Sequence, residues 1–203
     1  DAHRSIAKLV KDGFIKVIVT TNFDRLMEQA LVELNIFPTV IKSDSDLEGA
    51  LPIVHSPCTI LKVNGDYLDS RIKNTSGQLS CYEPNLTSLI KRVFDEYGLI
   101  VAGWSAQWDV ALFDLVKSCQ SRRFSNYWLS KGRSTDQAKD LIACRAAHEI
   151  HIDSADSFFT DLRDKVSSVS KIKSAHPVSM EILIQIAKDY LSEEKHKIRL
   201  HDL

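Results

Sequence analysis

The sequence predicts an α/β protein with a Rossmann-like, mainly parallel sheet and helices on both faces. Short β-branched apolar runs alternate with segments of helical periodicity, which is the pattern of strand–helix–strand units. Three of these runs end in compact polar loops, where an open parallel sheet places its ligands. The 203 residues suffice for one domain and a small appendage.

The first half of the chain contains two expected strands, each followed by a helix. The apolar run at residues 15–19 (IKVIV) predicts a buried strand. The helix after it, over 26–34, follows from its helical apolar spacing, with Asp24 as the expected N-cap. A second run at 59–63 (TILKV) predicts the next strand. A helix over 86–97 is expected because apolar side chains recur there at intervals of three and four.

The second half continues the same alternation. Short runs rich in β-branched or aromatic side chains predict strands at 99–102 (LIVA), 126–129 (NYWL) and 149–152 (EIHI). Helical periodicity predicts three further helices, at 110–116 after the N-cap Asp109, around 135–147, and at 157–169.

The C-terminal region is expected to be an appendage. The polar stretch at 167–177 (SSVSKIKSAHP) is the expected linker, and apolar side chains at helical spacing predict a last helix over 182–191. The sequence therefore predicts a main domain at residues 1–170 and a C-terminal amphipathic helix with its tail at 171–203.

Composition excludes several classes of function. Lys and Arg number 26 against 27 Asp and Glu, so no basic field would attract nucleic acid directly. No apolar run approaches the roughly 18 residues of a membrane span. The four cysteines lie too far apart for a zinc half-site, which predicts reduced thiols in a cytoplasmic protein without zinc. His148 and His151 would face opposite sides of a strand, so no metal site is expected there.

The loops after three of the predicted strands form the candidate site. Their candidate residues are Thr21, Asn22 and Asp24 in TTNFD, Asn64 in NGDY, and Gly103 and Ser105 in GWS. Because the carboxyl ends of parallel strands meet at one edge, we expect Asn22, Asp24, Asn64 and Ser105 to cluster. The alternatives are structural: a turn with a helix cap, an Asn-Gly turn and a strand exit. A phosphate-binding G-x-G-x-x-G loop is absent from this sequence.

The order of these motifs resembles the sirtuin-like (silent information regulator type) NAD-binding family. TTNFD, K-x-x-G-D-Y, GWS, NYW and ADSFF succeed one another over residues 1–162, and TTNFD is the most specific of them. The resemblance is to the bacterial defence-type branch, which lacks the zinc module. It implies that the first strand and its glycine-rich phosphate loop belong upstream of Asp1.

The resemblance also implies roles for individual residues. Thr21, Asn22 and Asp24 match the nicotinamide end of the site, where Asp24 would receive the carboxamide and Asn22 would position the ribose or an attacking water. A further set matches the adenosine half: Gly103 and Ser105 at the ribose and phosphates, and Asp156 of ADSFF at the adenine end.

Asn64 departs from the family pattern. The family motif reads K-L-H-G-D-Y, with histidine as general base, whereas this chain reads Lys62-Val63-Asn64-Gly65-Asp66-Tyr67. Imidazole accepts a proton near neutral pH and a carboxamide does not. General-base catalysis is worth roughly 10²–10⁴-fold, so weak turnover is expected. The substitution is either natural or made to trap a ligand. His55, which precedes the second predicted strand, is the alternative base.

Two functions remain open from the sequence. The first is a domain of NAD⁺-hydrolase ancestry within a larger, antiphage-defence-type protein, with NAD as substrate or ligand. The second is a non-catalytic module that binds NAD or ADP-ribose, or that binds a protein. The expected partners are NAD or ADP-ribose and the rest of a larger polypeptide or a defence partner, with no membrane. The oligomeric state is left open, a homo-oligomer included.

Overall fold

A computed structural model describes residues 1–66, 82–119, 121–174, 185 and 188. These contain seven helices and six strands: α1 Ala2–Lys11, β1 Val17–Thr20, α2 Leu26–Val32, β2 Thr39–Ile41, α3 Asp44–Glu48, β3 Thr59–Lys62, α4 Pro84–Glu96, β4 Leu99–Ala102, α5 Val110–Ser118, β5 Asn126–Ser130, α6 Asp136–Arg145, β6 His148–His151 and α7 Ala155–Ser174. The predicted Rossmann-like α/β class is confirmed. The chain divides into two compact units, Asp1–Asp161 and Leu162–Leu203. Both sheets and every site residue discussed below belong to the first unit.

The strands pair in parallel throughout the described residues. They form two three-stranded sheets, ordered β1-β3-β2 and β4-β5-β6. In the first sheet Thr20 of β1 lies opposite Lys62 of β3, and in the second Ala102 of β4 lies opposite Leu129 of β5. Strands β1 and β4 each pair on one side only within the described ranges. The expected parallel pairing is therefore correct, although it divides between two sheets.

Two apolar layers cover opposite faces of the first sheet. Successive side chains of a strand point to opposite faces. Ile60 of β3 belongs to an apolar cluster with residues of α1 and α2, whereas Leu61 belongs to a second cluster that includes residues of α4, α5 and α6. The second of these layers also includes Trp128 of β5, which joins the two sheets in one core. Burial of both faces explains why the strands are continuously apolar.

Most predicted elements are confirmed, with small changes at their ends. The strand expected at 99–102 has the predicted bounds, whereas the one expected at 15–19 begins at Val17 and continues to Thr20. The sequence reasoning missed α1, β2 and α3. Strand β2 has three residues and α3 has five, too few to show a period. Helix α1 does have apolar residues at helical spacing, including Ile6, Leu9 and Val10, and that signal was available.

The expected linker is wrong where it can be checked. Helix α7 continues to Ser174, so the first part of the stretch at 167–177 is helical rather than extended. The last predicted helix, over 182–191, lies outside the described residues except for 185 and 188. The division of the chain at residue 170 stays a prediction.

The described cysteines are free thiols. Cys58 and Cys119 are buried and Cys144 is partly exposed, while Cys81 lies outside the described residues. Burial raises the pKa of the Cys58 thiol to about 12, so this side chain stays protonated and unreactive at neutral pH.

Candidate functional site

Parallel pairing brings the loops after β1 and β3 to one edge of the first sheet. The backbone N–H of Val63 donates to the carbonyl of Thr20 at 3.1 Å, which extends the pairing beyond the strand ends. One side-chain amide then links the two loops: Asn64 Nδ2 donates to the carbonyl oxygen of Thr21 at 3.3 Å. The loops that carry Asn22 and Asn64 therefore lie at the same edge of the first sheet.

A buried lysine, Lys62, binds the backbone of the loop after β1. Lys62 is fully buried, and its Nζ donates to the carbonyl oxygens of Phe23 at 3.3 Å and Asp24 at 2.5 Å. The same ammonium lies 3.1 Å from both Glu28 Oε1 and Asp66 Oδ2. A buried cation needs such partners because burial otherwise disfavours its charge. Through these hydrogen bonds, Lys62 at the end of β3 holds the backbone of the TTNFD loop in place.

Arg25 completes this ion-pair network. Its Nε lies 2.9 Å from Asp66 Oδ2 and 3.1 Å from Oδ1, while the Asp66 side chain is only 1% exposed. The sequence reasoning did not identify Lys62 or Asp66 as members of an ion-pair network. The available signal was the lysine itself, because a charged residue inside the apolar run TILKV must find a partner.

Asn22 and Asp24 are exposed on this loop. The expected N-cap at Asp24 is off by one position: helix α2 begins after Arg25. Asp24 Oδ1 nevertheless accepts from the backbone N–H of Leu26 at 3.1 Å, so it stabilises the start of the helix by another route. Both side chains belong to the loop whose backbone carbonyls bind Lys62, and both are accessible to a ligand.

Asn64 is buried, with 6% of its surface exposed. Its Nδ2 also donates to Asp109 Oδ1 at 2.8 Å, so both amide hydrogens have acceptors. Its Oδ1 is buried and accepts no hydrogen bond from the described residues. Two acceptors on one side of the amide fix which end carries nitrogen. This side chain can donate and accept hydrogen bonds, but it cannot take up a proton.

Asp109 is the N-cap residue of helix α5, as predicted, but its carboxylate makes no capping hydrogen bond. Instead Oδ1 accepts from Asn64, and Oδ2 accepts from Trp104 Nε1 at 2.9 Å. Burial, together with the charge of Asp109, raises the pKa of the Tyr82 hydroxyl. Asp109 is therefore the acidic group of this cluster, and sequence spacing alone did not reveal it.

Gly103 and Ser105 lie in the loop after β4, which Asp109 brings to Asn64. Gly103 has φ of +71°, in the left-handed region that favours glycine, and a Cβ there would meet nothing within 4 Å. The carbonyl of Ser105 accepts from Thr135 Oγ1 at 2.6 Å, which ties this loop to the start of α6. Ser105 Oγ accepts from the backbone N–H of Gln107 at 3.4 Å.

Asp156 lies in the first turn of α7 and contacts α1. Its Oδ1 accepts from the backbone N–H of Ala2 at 2.5 Å. This hydrogen bond lowers the pKa of the Asp156 carboxyl. No described contact joins Asp156 to the cluster around Asn64.

Other candidate groups lie elsewhere. His55 precedes β3, at the opposite end of the strand from Asn64, so it is not placed to act as a base there. Among the described residues no group of three His, Cys, Asp or Glu side chains converges to hold a metal ion. Within the same ranges, no helix has the length and apolar character needed to span a bilayer.

The fold and this edge define a Rossmann-like α/β domain whose strand-end loops meet in one polar cluster. The sequence matches the SIR2-like domain family over residues 16–152, which is more than half of the chain. The chain therefore belongs to the SIR2-like domain family, whose members generally bind NAD. No curated protein matches the sequence significantly.

Proposed function

We propose that this domain binds NAD at the carboxyl edge of β1, β3 and β4, and that it descends from NAD⁺ hydrolases. The observation that carries the proposal is the Asn64 amide, which donates both to the Thr21 carbonyl and to Asp109. That single side chain brings together the three loops to which the family resemblance assigns the nucleotide. Open α/β sheets bind ligands at such edges.

The proposed nicotinamide end is the loop after β1. Asn22 and Asp24 are exposed there, while Lys62 holds the backbone beneath them. An exposed amide and carboxylate can form hydrogen bonds with the nicotinamide carboxamide and with a ribose diol. In this proposal Asp24 receives the carboxamide, and Asn22 positions the ribose or the attacking water.

The proposed adenosine end is the loop after β4. Gly103 leaves open space above its backbone, which lets a ribose or phosphate approach closely. Ser105 supplies a hydroxyl on a loop that Thr135 holds in place. Asp156 is assigned to the adenine end by the family resemblance alone, since its described contact is with α1.

Turnover is expected to be slow. In hydrolysis the nicotinamide–ribose C–N bond breaks, nicotinamide leaves with the bonding electron pair, and a water oxygen bonds to the ribose carbon. The proton of that water must be accepted by a base. Asn64 has no lone pair basic enough to accept it, and that loss is worth roughly 10²–10⁴-fold.

The same observation favours a second candidate, a non-catalytic module that binds NAD or ADP-ribose. Asn64 preserves a hydrogen-bonded bridge between loops while giving up proton transfer. Such a substitution keeps the shape of the site and removes its chemistry, which suits a domain that senses the nucleotide.

Calorimetry with NAD and with ADP-ribose, combined with an assay for released nicotinamide, tests both candidates. We expect the native chain to bind at least one of the two nucleotides weakly, because its sequence holds no G-x-G-x-x-G loop for the pyrophosphate, and to release little nicotinamide. Asn22→Ala should weaken binding several-fold, whereas Asn85→Ala, an exposed asparagine in the first turn of α4, should not. Absence of binding to either nucleotide would contradict both candidates. Rapid nicotinamide release by the native chain would contradict the second.

We further propose that the domain works inside a larger antiphage-defence protein or with a defence partner. The support is the motif order TTNFD, K-x-x-G-D-Y, GWS, which resembles that branch of the family. Cells carrying the complete gene should survive phage challenge better than cells carrying Asn22→Ala. Identical survival of the two strains would count against this role.

A further inference from the structure

We propose that Asp109 is the positioning residue of this site: its carboxylate orients the side chain at position 64 and would make a base at that position competent. The inference rests on the proposed function, because it concerns the same strand-end cluster. It assigns a role to a residue that neither the motif order nor the family match identifies.

The geometry of Asp109 supports a positioning role over a capping one. An aspartate at an N-cap normally accepts from a backbone N–H in the first helical turn. The Asp109 carboxylate accepts no hydrogen bond from those N–H groups. One of its oxygens accepts from Asn64 Nδ2 at 2.8 Å, and the other accepts from Trp104 Nε1 at 2.9 Å. Each carboxylate oxygen therefore has its own donor, which fixes the plane of the group.

The indole that binds Asp109 is fixed by aromatic packing. The Trp104 ring lies 5.8 Å from the ring of Trp128, centroid to centroid, and Trp128 is buried in the core. The relay from the core to the site is thus Trp128, Trp104, Asp109, Asn64 and the Thr21 carbonyl. A carboxylate held on one side by a fixed ring presents its other oxygen in one direction only.

This arrangement resembles the way a carboxylate orients a catalytic imidazole. An imidazole at position 64 would donate one N–H to Asp109 and leave its second nitrogen free to accept a proton. The carboxylate would also favour the protonated ring, because an opposite charge stabilises the charged form. The proton would come from the attacking water, would pass to the ring and then to solvent, while nicotinamide leaves with the electron pair.

The experiment compares Asn64→His with the double variant Asn64→His/Asp109→Asn. Asn64→His should raise nicotinamide release roughly 10²–10⁴-fold over the native chain. The added Asp109→Asn should remove much of that gain, by roughly 10-fold to 10⁴-fold. The pH at which the rate rises should also fall in the double variant. Asn64→His/Asp114→Asn, which removes an exposed carboxylate of α5, is the matched control and should retain both rate and pH profile.

A second readout does not depend on turnover. Nuclear magnetic resonance titration of the introduced imidazole should give a pKa above the ordinary value of about 6.5 in Asn64→His. That pKa should return toward the ordinary value when Asp109→Asn is added. Urea unfolding of each variant establishes that it is folded before the titration is compared.

The outcomes separate the inference from the proposed function. Equal imidazole pKa values in the single and double variants would overturn the positioning role of Asp109, even if NAD binds. Absence of nucleotide binding by the native chain would overturn the proposed function, even if the pKa values differ. A loss of rate in the double variant with an unchanged pKa would reduce Asp109 to a merely structural role and overturn the inference.

Discussion

The two sheets hold their strand-end loops by different physical means. After β1 and β3 the loops are held by buried charge: Lys62 is fully buried, and its ammonium contacts two carboxylates and two backbone carbonyls. After β4 the loop is held by its own backbone and by aromatic packing. Gly103 and Ala106 have φ of +71° and +58°, and Trp104 packs against Trp128.

This difference indicates where each half is vulnerable. Removing one member of a buried ion pair leaves its partner charged in a low-dielectric interior, which is costly. A left-handed backbone costs only about 1–2 kcal/mol per residue, and glycine avoids most of that cost. The stability of the first half, with the sheet β1-β3-β2, should therefore be sensitive to the loss of a single charge. The stability of the second half, with the sheet β4-β5-β6, should be sensitive to the backbone conformation of its loop and to the loss of one indole N–H.

The largest expected effect on stability comes from removing the buried charge of Lys62. Lys62→Met should destabilise the fold by about 3–5 kcal/mol, because Glu28 and Asp66 lose their shared buried cation. The midpoint and slope of urea unfolding measure this change. Lys117→Met is the matched control, since Lys117 forms an exposed ion pair with Asp140 and should leave the midpoint nearly unchanged. Equal shifts for the two variants would remove the distinction between the halves.

A smaller effect is expected from the indole that anchors the second half. Trp104→Phe keeps an aromatic ring against Trp128 and removes the donor to Asp109. A hydrogen bond to a charged group is worth about 1.5–3 kcal/mol, and we expect a loss in that range. Trp108→Phe is the control, because Trp108 is 79% exposed. If both variants unfold at the native midpoint, the Trp104–Asp109 hydrogen bond does not stabilise the loop.

The backbone of the same loop should contribute about 1 kcal/mol. Gly103→Ala places a Cβ in open space, so its only cost is the left-handed conformation. Gly49→Ala also enters open space, but Gly49 has φ of −97° and should be neutral or slightly stabilised by the change. Unfolding free energies of the two variants isolate the backbone term. A Gly103→Ala variant as stable as Gly49→Ala would mean that the loop relaxes freely.

The smallest effect concerns an exposed carboxylate of the second half. Hydrogen bonds from Ser130 and Ser134 lower the pKa of Glu149. A lowered pKa in the folded state adds stability above the unfolded pKa, and that stability is lost as the pH falls through the folded value. Urea midpoints measured from about pH 6 to about pH 3 should decline slightly less steeply for Glu149→Gln than for the native chain. A steeper decline for Glu149→Gln would reverse the expected sign.

Much of the architecture could be predicted because its signals are local. The apolar runs that became β1, β3, β4, β5 and β6 are each contiguous in sequence, and both faces of the first sheet are buried. Elements too short to show a period, such as β2, could not be predicted because they carry no such local signal. The positions of Thr21 and Asn64 followed from the rule that parallel strands end at one edge.

The partners of the site residues could not be predicted from local signals. Lys62 meets Glu28 and Asn64 meets Asp109 across separations of 34 and 45 residues. A lysine in an apolar strand signals that it has a partner but not which residue this is, and an aspartate before a helix is explained locally as a cap. The tertiary structure shows that Lys62 contacts Glu28 and that Asp109 contacts Asn64.

The sequence by itself determined the α/β class, the parallel pairing and the family resemblance, because hydrophobic periodicity and motif order are properties of neighbouring residues. It also determined that position 64 carries no base, since that depends only on the chemistry of one side chain. The tertiary structure decided which groups surround Asn64. Folding placed the Asp109 carboxylate and the Thr21 carbonyl against one amide, because β1 pairs with β3 and Trp104, which binds Asp109, packs on Trp128.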